Sequence, residues 1–152
     1  MSVSIIVPAY RSAKFLEKHV KLIERELNAV AKDFEILLVE GGSPDNSAEI
    51  AEAIAKKNSK VRHIHREKKL GKGAALSLGF KEAKGEIVGF IDADLEISQK
   101  YFKPAIEKIK EGYTFLAFSL DTLLLGEICR KGLTSIRREL SNKKIILEDG
   151  KK

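Results

Sequence analysis

EIVGFIDADLEIS, residues 86–98, is the segment on which the predicted fold of this chain rests. Its apolar, partly β-branched run stops abruptly at Asp92-Ala93-Asp94, which is typical of a buried parallel strand that ends in two carboxylates. Ligands of open α/β sheets bind beyond the carboxyl ends of the strands. Because alternate strand residues face the same side, we expect Asp92 and Asp94 to share one divalent cation. The competing interpretation is a polar loop whose acids cap a helix or a turn.

The composition indicates one globular domain. The chain has 152 residues, of which 43% are hydrophobic and 33% are charged, and its single Cys129 excludes a disulfide framework. We expect neither a secretory leader nor a transmembrane helix, and therefore a cytoplasmic protein whose membrane contact, if any, is peripheral at the cytoplasmic face. The net charge of +6 suits an anionic lipid or a phosphorylated ligand. We expect no nucleic acid partner, because aromatic and basic residues are not interleaved as on a base-stacking surface.

On both sides of residues 86–98, hydrophobic periodicity and turn residues predict alternating strands and helices. Strands are predicted at 4–8, 34–40, 61–65, 87–91 and 114–120, and helices at 13–30, 48–57, 74–83 and 103–110. Short crossovers between such strands require an α/β fold with a mostly parallel sheet and helices on both faces. Residues 1–120 form this core, and residues 121–152 are predicted to be a helical segment and tail of the same domain. Within that segment, 122–140 is predicted to be a basic amphipathic helix.

Two predicted strand-to-helix turns contain glycines. In GGSPDNS, residues 41–47, Gly41 and Gly42 permit a tight turn and close backbone approach to a ligand, and the polar side chains are candidate N-caps. The alternative is a structural turn with no ligand. In REKKLGKG, residues 66–73, the amides of a helix start and Lys72 suit a diphosphate, and a solvated basic loop is the alternative.

Two histidines alternate on the third predicted strand. His63 and His65 have no cysteine or third histidine near them in the sequence. We therefore interpret them as ordinary strand-end histidines rather than metal ligands.

Four stretches in unbroken order carry a family resemblance. They are SIIVPAYR, EILLVEGGSPDNS, HREKKLGKGAALSLGF and GEIVGFIDADLEIS. Together they resemble the nucleotide-sugar-binding part of family 2 glycosyltransferases, especially the dolichol-phosphate and polyprenyl-phosphate mannosyl- and glucosyltransferases. The resemblance implies a Rossmann-like GT-A fold, which is C-terminally short here. It also implies metal-dependent transfer of mannose or glucose, with inversion, from a GDP- or UDP-sugar to a polyprenyl or dolichyl phosphate.

The resemblance further implies a nucleotide pocket at the ends of neighbouring strands. Its residues would be Pro8, Ala9, Tyr10, Glu40, Gly42, Ser43, Gly71, Lys72 and Asp92. Pro8, Ala9 and Tyr10 would line the base and ribose, and Glu40 stands where the family has its base-contacting acid. Asp92 and Asp94 would be the metal-binding D-x-D motif, with Mg or Mn between the two phosphates. A divalent cation neutralises the charge that develops on a nucleoside diphosphate leaving group. No catalytic base is assigned.

Some positions depart from the family pattern. Arg11-Ser12 replaces Asn-Glu, Glu40-Gly41 replaces Asp-Asp, and Lys69 replaces Asn. A second hypothesis is therefore a truncated, catalytically weak or inactive nucleotide-sugar-binding module that acts with a partner subunit or as a homo-oligomer. A dinucleotide-dependent oxidoreductase is excluded, because no G-x-G-x-x-G follows the first strand.

Overall fold

A four-stranded parallel sheet forms the centre of the chain in a computed structural model, which describes residues 1–114 and 116. The strands are β1 (Ser2–Pro8), β2 (Asp33–Gly41), β3 (Val61–Arg66) and β4 (Ile87–Phe90). The helices are α1 (Leu16–Val30), α2 (Ser47–Lys57), α3 (Lys72–Glu82) and α4 (Phe102–Lys110). The strand order is β3-β2-β1-β4, and every pair is parallel.

The sheet is covered by helices on both faces. One core cluster joins Ile5, Ile36 and other strand side chains to buried residues of α1, α2 and α4, whereas a second joins Ile6 and Leu37 to Ala75 of α3. Neighbouring strand residues such as Ile5 and Ile6 enter opposite cores because strand side chains alternate. The predicted α/β fold with a parallel, doubly covered sheet is confirmed.

The predicted element boundaries differ from the observed ones by a few residues. α1 begins at Leu16 rather than residue 13, since the amides of Phe15 and Leu16 both bond the Ser12 carbonyl in a preceding turn. The predicted fifth strand (114–120), except residues 114 and 116, and the predicted helical segment and tail (121–152) lie outside the described residues. Within residues 1–114 and 116, no helix has the length and apolar composition that a bilayer crossing requires.

Gly79 sets how closely α3 packs on the sheet. A Cβ at this position would lie 2.5 Å from Cγ2 of Ile6, a fully buried residue. Gly79→Ala is therefore expected to overpack this contact and to lower the free energy of unfolding by about 1–3 kcal/mol. Urea denaturation measures it. Gly73→Ala on the same helix is the matched control, because no atom lies within 4 Å of its added Cβ and alanine favours helix. Equal stability of the Gly79→Ala variant and the parent would contradict this packing.

Glu35 joins β2 to its surroundings through three donors. Its carboxylate accepts hydrogen bonds from the Ser4 hydroxyl (2.7 Å), the Lys84 amide (2.7 Å) and the Arg62 guanidinium (2.8 Å). Burial raises the pKa of Glu35, but the hydrogen bonds from Ser4, Arg62 and Lys84 outweigh it, so the pKa lies below its ordinary value.

This lowered pKa predicts how stability depends on pH. A group whose pKa is depressed by folding contributes stability that is complete above its unfolded pKa, about 4.3, and is lost as the pH falls through the folded value. Glu35→Gln should therefore be less stable than the parent at pH 7, and the difference should shrink below about pH 4. Urea denaturation across this pH range measures it, with exposed Glu49→Gln as the control. A difference that stays constant with pH would contradict the prediction.

Candidate functional site

Two side chains at the start of α2 hold the loop that follows β1. Ser47 Oγ accepts the Ser12 amide (2.8 Å) and donates to Oδ1 of Asp45 (2.6 Å), while Oδ2 of Asp45 accepts the Ala13 amide (3.2 Å). Burial raises the pKa of Asp45, but the hydrogen bonds from Ser47 and Ala13 outweigh it and leave the pKa below its ordinary value. Asn46 occupies the N-cap position of α2 without a side-chain capping bond. Ser47 and Asp45, which were candidate helix caps in the sequence, instead join two loops at the edge of the sheet.

Tyr10, which follows β1, has two cations near its ring. The Arg11 guanidinium carbon is 5.5 Å from the ring centre, and the Lys69 ammonium is 4.9 Å from it. Both distances allow cation–π attraction. Arg11 has a φ of +54°, which few residues other than glycine adopt, and its amide donates to the Ser43 hydroxyl (3.1 Å). Two departures from the family pattern, Arg11 and Lys69, therefore meet at one aromatic ring.

The two glycines after β2 lie against the chain's own basic loop. A Cβ on Gly42 would lie 2.6 Å from the Lys69 amide nitrogen, and a Cβ on Gly41 would lie 2.6 Å from Cγ of Leu70. The Gly42 amide also donates to the Arg66 carbonyl (3.0 Å). At both glycines, the segment that approaches closely is therefore part of the protein's own chain, as expected for a structural turn. A nucleotide contact at Gly42 stays a prediction.

Glu40 is fully buried at the end of β2. Its Oε1 accepts the Ser43 amide (2.6 Å), and its Oε2 lies 2.7 Å from Nδ1 of His65. Burial raises the pKa of Glu40, but the hydrogen bonds from Ser43 and His65 outweigh it, so the pKa is lowered. Both carboxylate oxygens have partners within the protein, and the predicted contact of Glu40 with a base stays a prediction.

The amino-terminal end of α3 faces the turn that follows β4. Nζ of Lys72 lies 2.7 Å and 2.8 Å from the two carboxylate oxygens of Asp92. Gly71 is the N-cap of α3, with no side-chain capping bond, and no atom lies within 4 Å of a Cβ added to Gly71 or Gly73. Unlike Gly41 and Gly42, these glycines leave open space beside the first amides of a helix. Such amides attract anions.

The two predicted metal ligands lie in a turn rather than on a strand. β4 ends at Phe90, and the Leu95 amide donates to the Asp92 carbonyl (3.0 Å), which closes a turn over Asp92–Leu95. The strand alternation from which we placed both carboxylates on one side therefore does not extend to Asp94. Asp92 is 36% exposed, and Asp94 is exposed and accepts the Glu96 amide (3.3 Å). Two carboxylates that complete their shell with phosphate oxygens fit Mg or Mn.

The strand order brings the predicted residues to one edge of the sheet. β1 lies between β2 and β4, so the loops after these strands all lie at the carboxyl edge. Pro8 ends β1 and is half-buried, and the buried Ala9 donates its amide to the Val39 carbonyl (2.9 Å). The sequence interpretation missed that Glu40 contacts His65. The parallel register of β2 and β3 pairs these two residues, so correct alignment of the two predicted strands could have revealed the contact.

Comparison with known proteins identifies the family. The model of glycosyl transferase family 2 matches residues 4–122. The chain belongs to glycosyl transferase family 2. A dolichol-phosphate mannosyltransferase from Pyrococcus furiosus is 36% identical over 112 residues, covering 74% of this chain and 31% of that protein. An undecaprenyl-phosphate 4-deoxy-4-formamido-L-arabinose transferase from Pseudomonas fluorescens is 32% identical over 116 residues, covering 76% and 34%.

A solved structure is also similar to this family 2 chain. It is the mannosyltransferase PcManGT from Pyrobaculum calidifontis in complex with GDP-Man and Mn2+, with a TM-score of 0.60 and 26% identity. The similarity covers 69% of this chain and 31% of that one. The predicted family 2 resemblance and GT-A fold are therefore confirmed. The chain spans between 18% and 35% of the length of the curated relatives that it matches.

Proposed function

We propose that this chain is the donor-binding part of an inverting family 2 glycosyltransferase. That glycosyltransferase would transfer mannose or glucose from a GDP- or UDP-sugar to a polyprenyl or dolichyl phosphate, with Mg or Mn as its metal. The observation that carries this proposal is the open start of α3, where Lys72 faces Asp92 at the carboxyl edge of the sheet. One side of this site attracts phosphate and the other attracts a cation, as a nucleoside diphosphate with its metal requires.

Each side of the site has a distinct role in the proposal. Lys72 and the first amides of α3, with Gly71 beside them, bind the diphosphate. Asp92 and Asp94 hold the divalent cation, which neutralises charge on the departing diphosphate. Without a donor, Lys72 neutralises Asp92 across 2.7 Å, and on binding it exchanges this carboxylate for phosphate oxygens. The similar mannosyltransferase solved with GDP-Man and Mn2+ supports a nucleotide-sugar and a divalent cation as the ligands.

The nucleoside would occupy the neighbouring corner at the end of β1. Pro8, Ala9 and Tyr10 line it, and Gly42 and Ser43 border it from the next loop. The Tyr10 ring would border the base or ribose, and the two cations near it, Arg11 and Lys69, raise the positive charge near the phosphates.

A lipid phosphate is the acceptor that suits this site. A sugar hydroxyl must lose its proton before it attacks the anomeric carbon, whereas a phosphate is already an ionised nucleophile that needs positioning and charge matching. The names of the P. furiosus and P. fluorescens relatives both include a polyprenyl-type phosphate. The net charge of +6 would favour peripheral contact with an anionic membrane surface.

A thermal-shift screen tests the donor. GDP, UDP, GDP-mannose and UDP-glucose would each be added to the protein with Mn2+, with Mg2+ or with EDTA. We expect one nucleotide series to raise Tm only when metal is present, because a ligand that binds the native state stabilises it by about 2.7 kcal/mol at 100 times Kd. No shift with any nucleotide and metal would contradict the proposal.

One observation favours the second candidate function, a weak or inactive donor-binding module that acts with a partner. Glu40, at the position of the base-contacting acid, has both carboxylate oxygens engaged by Ser43 and His65. A transfer assay with polyprenyl phosphate under donor-saturating conditions separates the candidates. Donor binding without transfer would favour the module.

A further inference from the structure

Three side chains with metal-ligating groups meet at the carboxyl ends of β2 and β3. Glu40 pairs with His65 in the parallel register, and His63 lies two residues earlier on the same face of β3. One ligand atom from each of the three residues lies within 4.8 Å of the other two. The ring centres of His63 and His65 are 5.9 Å apart.

One ring nitrogen of His63 is buried without a hydrogen-bond partner among the described residues. Its side chain is 6% exposed, and Nδ1 lies 3.1 Å from a carboxylate oxygen of Glu52 in α2. Nε2 is the one buried side-chain nitrogen or oxygen without a hydrogen-bond partner in the part of the chain that the structure describes. When Nδ1 donates to Glu52, a neutral ring has its lone pair on Nε2. Metal-ligating histidines are usually held in this way, with the other ring nitrogen donating to a carboxylate or carbonyl.

We propose that Glu40, His63 and His65 bind a divalent transition metal of the zinc class. Two imidazoles and one carboxylate form a donor set that Zn2+ accepts, with a fourth position for water. Ligand atoms around tetrahedral zinc lie about 3.4 Å apart, so a cluster already within 4.8 Å needs only a small closure. The cation replaces the proton that joins His65 to Glu40, and this proton is released to solvent.

The surrounding contacts suit such a site. The Ser43 amide holds one oxygen of Glu40 and so orients the carboxylate, while Glu52 orients His63. His65 is 46% exposed, which provides a path from solvent.

This site is separate from the Asp92 site. β3 and β4 are the two ends of the described sheet, three strand spacings apart, which is about 14 Å. The zinc site therefore contains none of the residues proposed to bind the diphosphate and its cation.

Calorimetric titration of Zn2+ into the nucleotide-free protein tests the proposal. The protein is untagged and has Cys129→Ser, because a thiolate is itself a strong zinc ligand. We expect one Zn2+ per chain, and a loss of affinity of at least about tenfold in His65→Ala, His63→Asn and Glu52→Gln. His19→Ala is the matched control, since it removes the remaining histidine but leaves the cluster intact. It should bind as the parent does.

Folding is checked separately by circular dichroism. His65 is half exposed, so His65→Ala should keep the parent's thermal unfolding curve even if the buried His63 variant does not fold. Co2+ provides a second readout, because its visible absorption reports tetrahedral coordination and should be lost in His65→Ala. Equal Zn2+ affinity in the parent and His65→Ala would overturn the proposal. So would loss of Zn2+ binding in Asp92→Asn with retention in His65→Ala, since the metal would then belong to the other site.

Discussion

Asp92→Asn is expected to abolish the metal-dependent part of nucleoside diphosphate binding, with a loss of affinity of roughly 100-fold or more. The asparagine keeps the size of the side chain and one oxygen but removes the charge that attracts a divalent cation. Titration calorimetry with the preferred nucleotide, in Mn2+ and in EDTA, measures the effect. The difference between the two conditions should vanish in the variant, because the carboxylate that would hold the cation is gone.

The fold should survive this substitution, which separates loss of the site from loss of structure. Asp92 pairs with Lys72 near the surface, where the side chains are 36% and 57% exposed, and exposed ion pairs contribute little to stability. Asp94→Asn should weaken metal-dependent binding as well. Glu96→Gln is the matched control, because it changes an exposed acid of the same loop outside the D-x-D motif. Undiminished Mn2+-dependent binding in both aspartate variants would place the site elsewhere.

Glu40→Ala is expected to lower the free energy of unfolding by about 2–4 kcal/mol. The carboxylate is fully buried and accepts the Ser43 amide, so alanine leaves that donor without its partner and a cavity beside β2. The loss of the contact with His65 adds less, because that ring can find water at 46% exposure. Urea denaturation in EDTA measures the change without any contribution from metal binding.

Glu40→Gln is the control for this prediction. Glutamine keeps the volume of the side chain and an oxygen that can accept the Ser43 amide, so it should cost clearly less than alanine. If the alanine variant unfolds at the same urea concentration as the parent, the carboxylate has no structural role. Glu40 would then be free for the base contact that the family resemblance implies.

The local turn chemistry around the site was predictable only in part. GGSPDNS indicated a tight turn before a helix, and a helix does begin at Ser47. That Ser47 and Asp45 would hold the amides of Ser12 and Ala13 was not predictable, since the partner loop is more than thirty residues away in sequence. The same holds for Gly42, whose missing side chain makes room for the basic loop near Lys69.

For the strands and α-helices that the structure describes, the order and type could be predicted from the sequence alone. Hydrophobic periodicity depends on residues a few positions apart, so strands such as β2 and helices such as α1 leave a signature in their own segments. Which segments contact one another could be known only from the tertiary structure. Strand order and register depend on how whole segments pack, and they bring Lys72 to Asp92 and Glu40 to His65 across 20 and 25 residues. The D-x-D pair could therefore be proposed from the sequence, whereas the lysine partner of Asp92 and the cluster of Glu40 with two histidines could not, because no single stretch contains both sides of either contact.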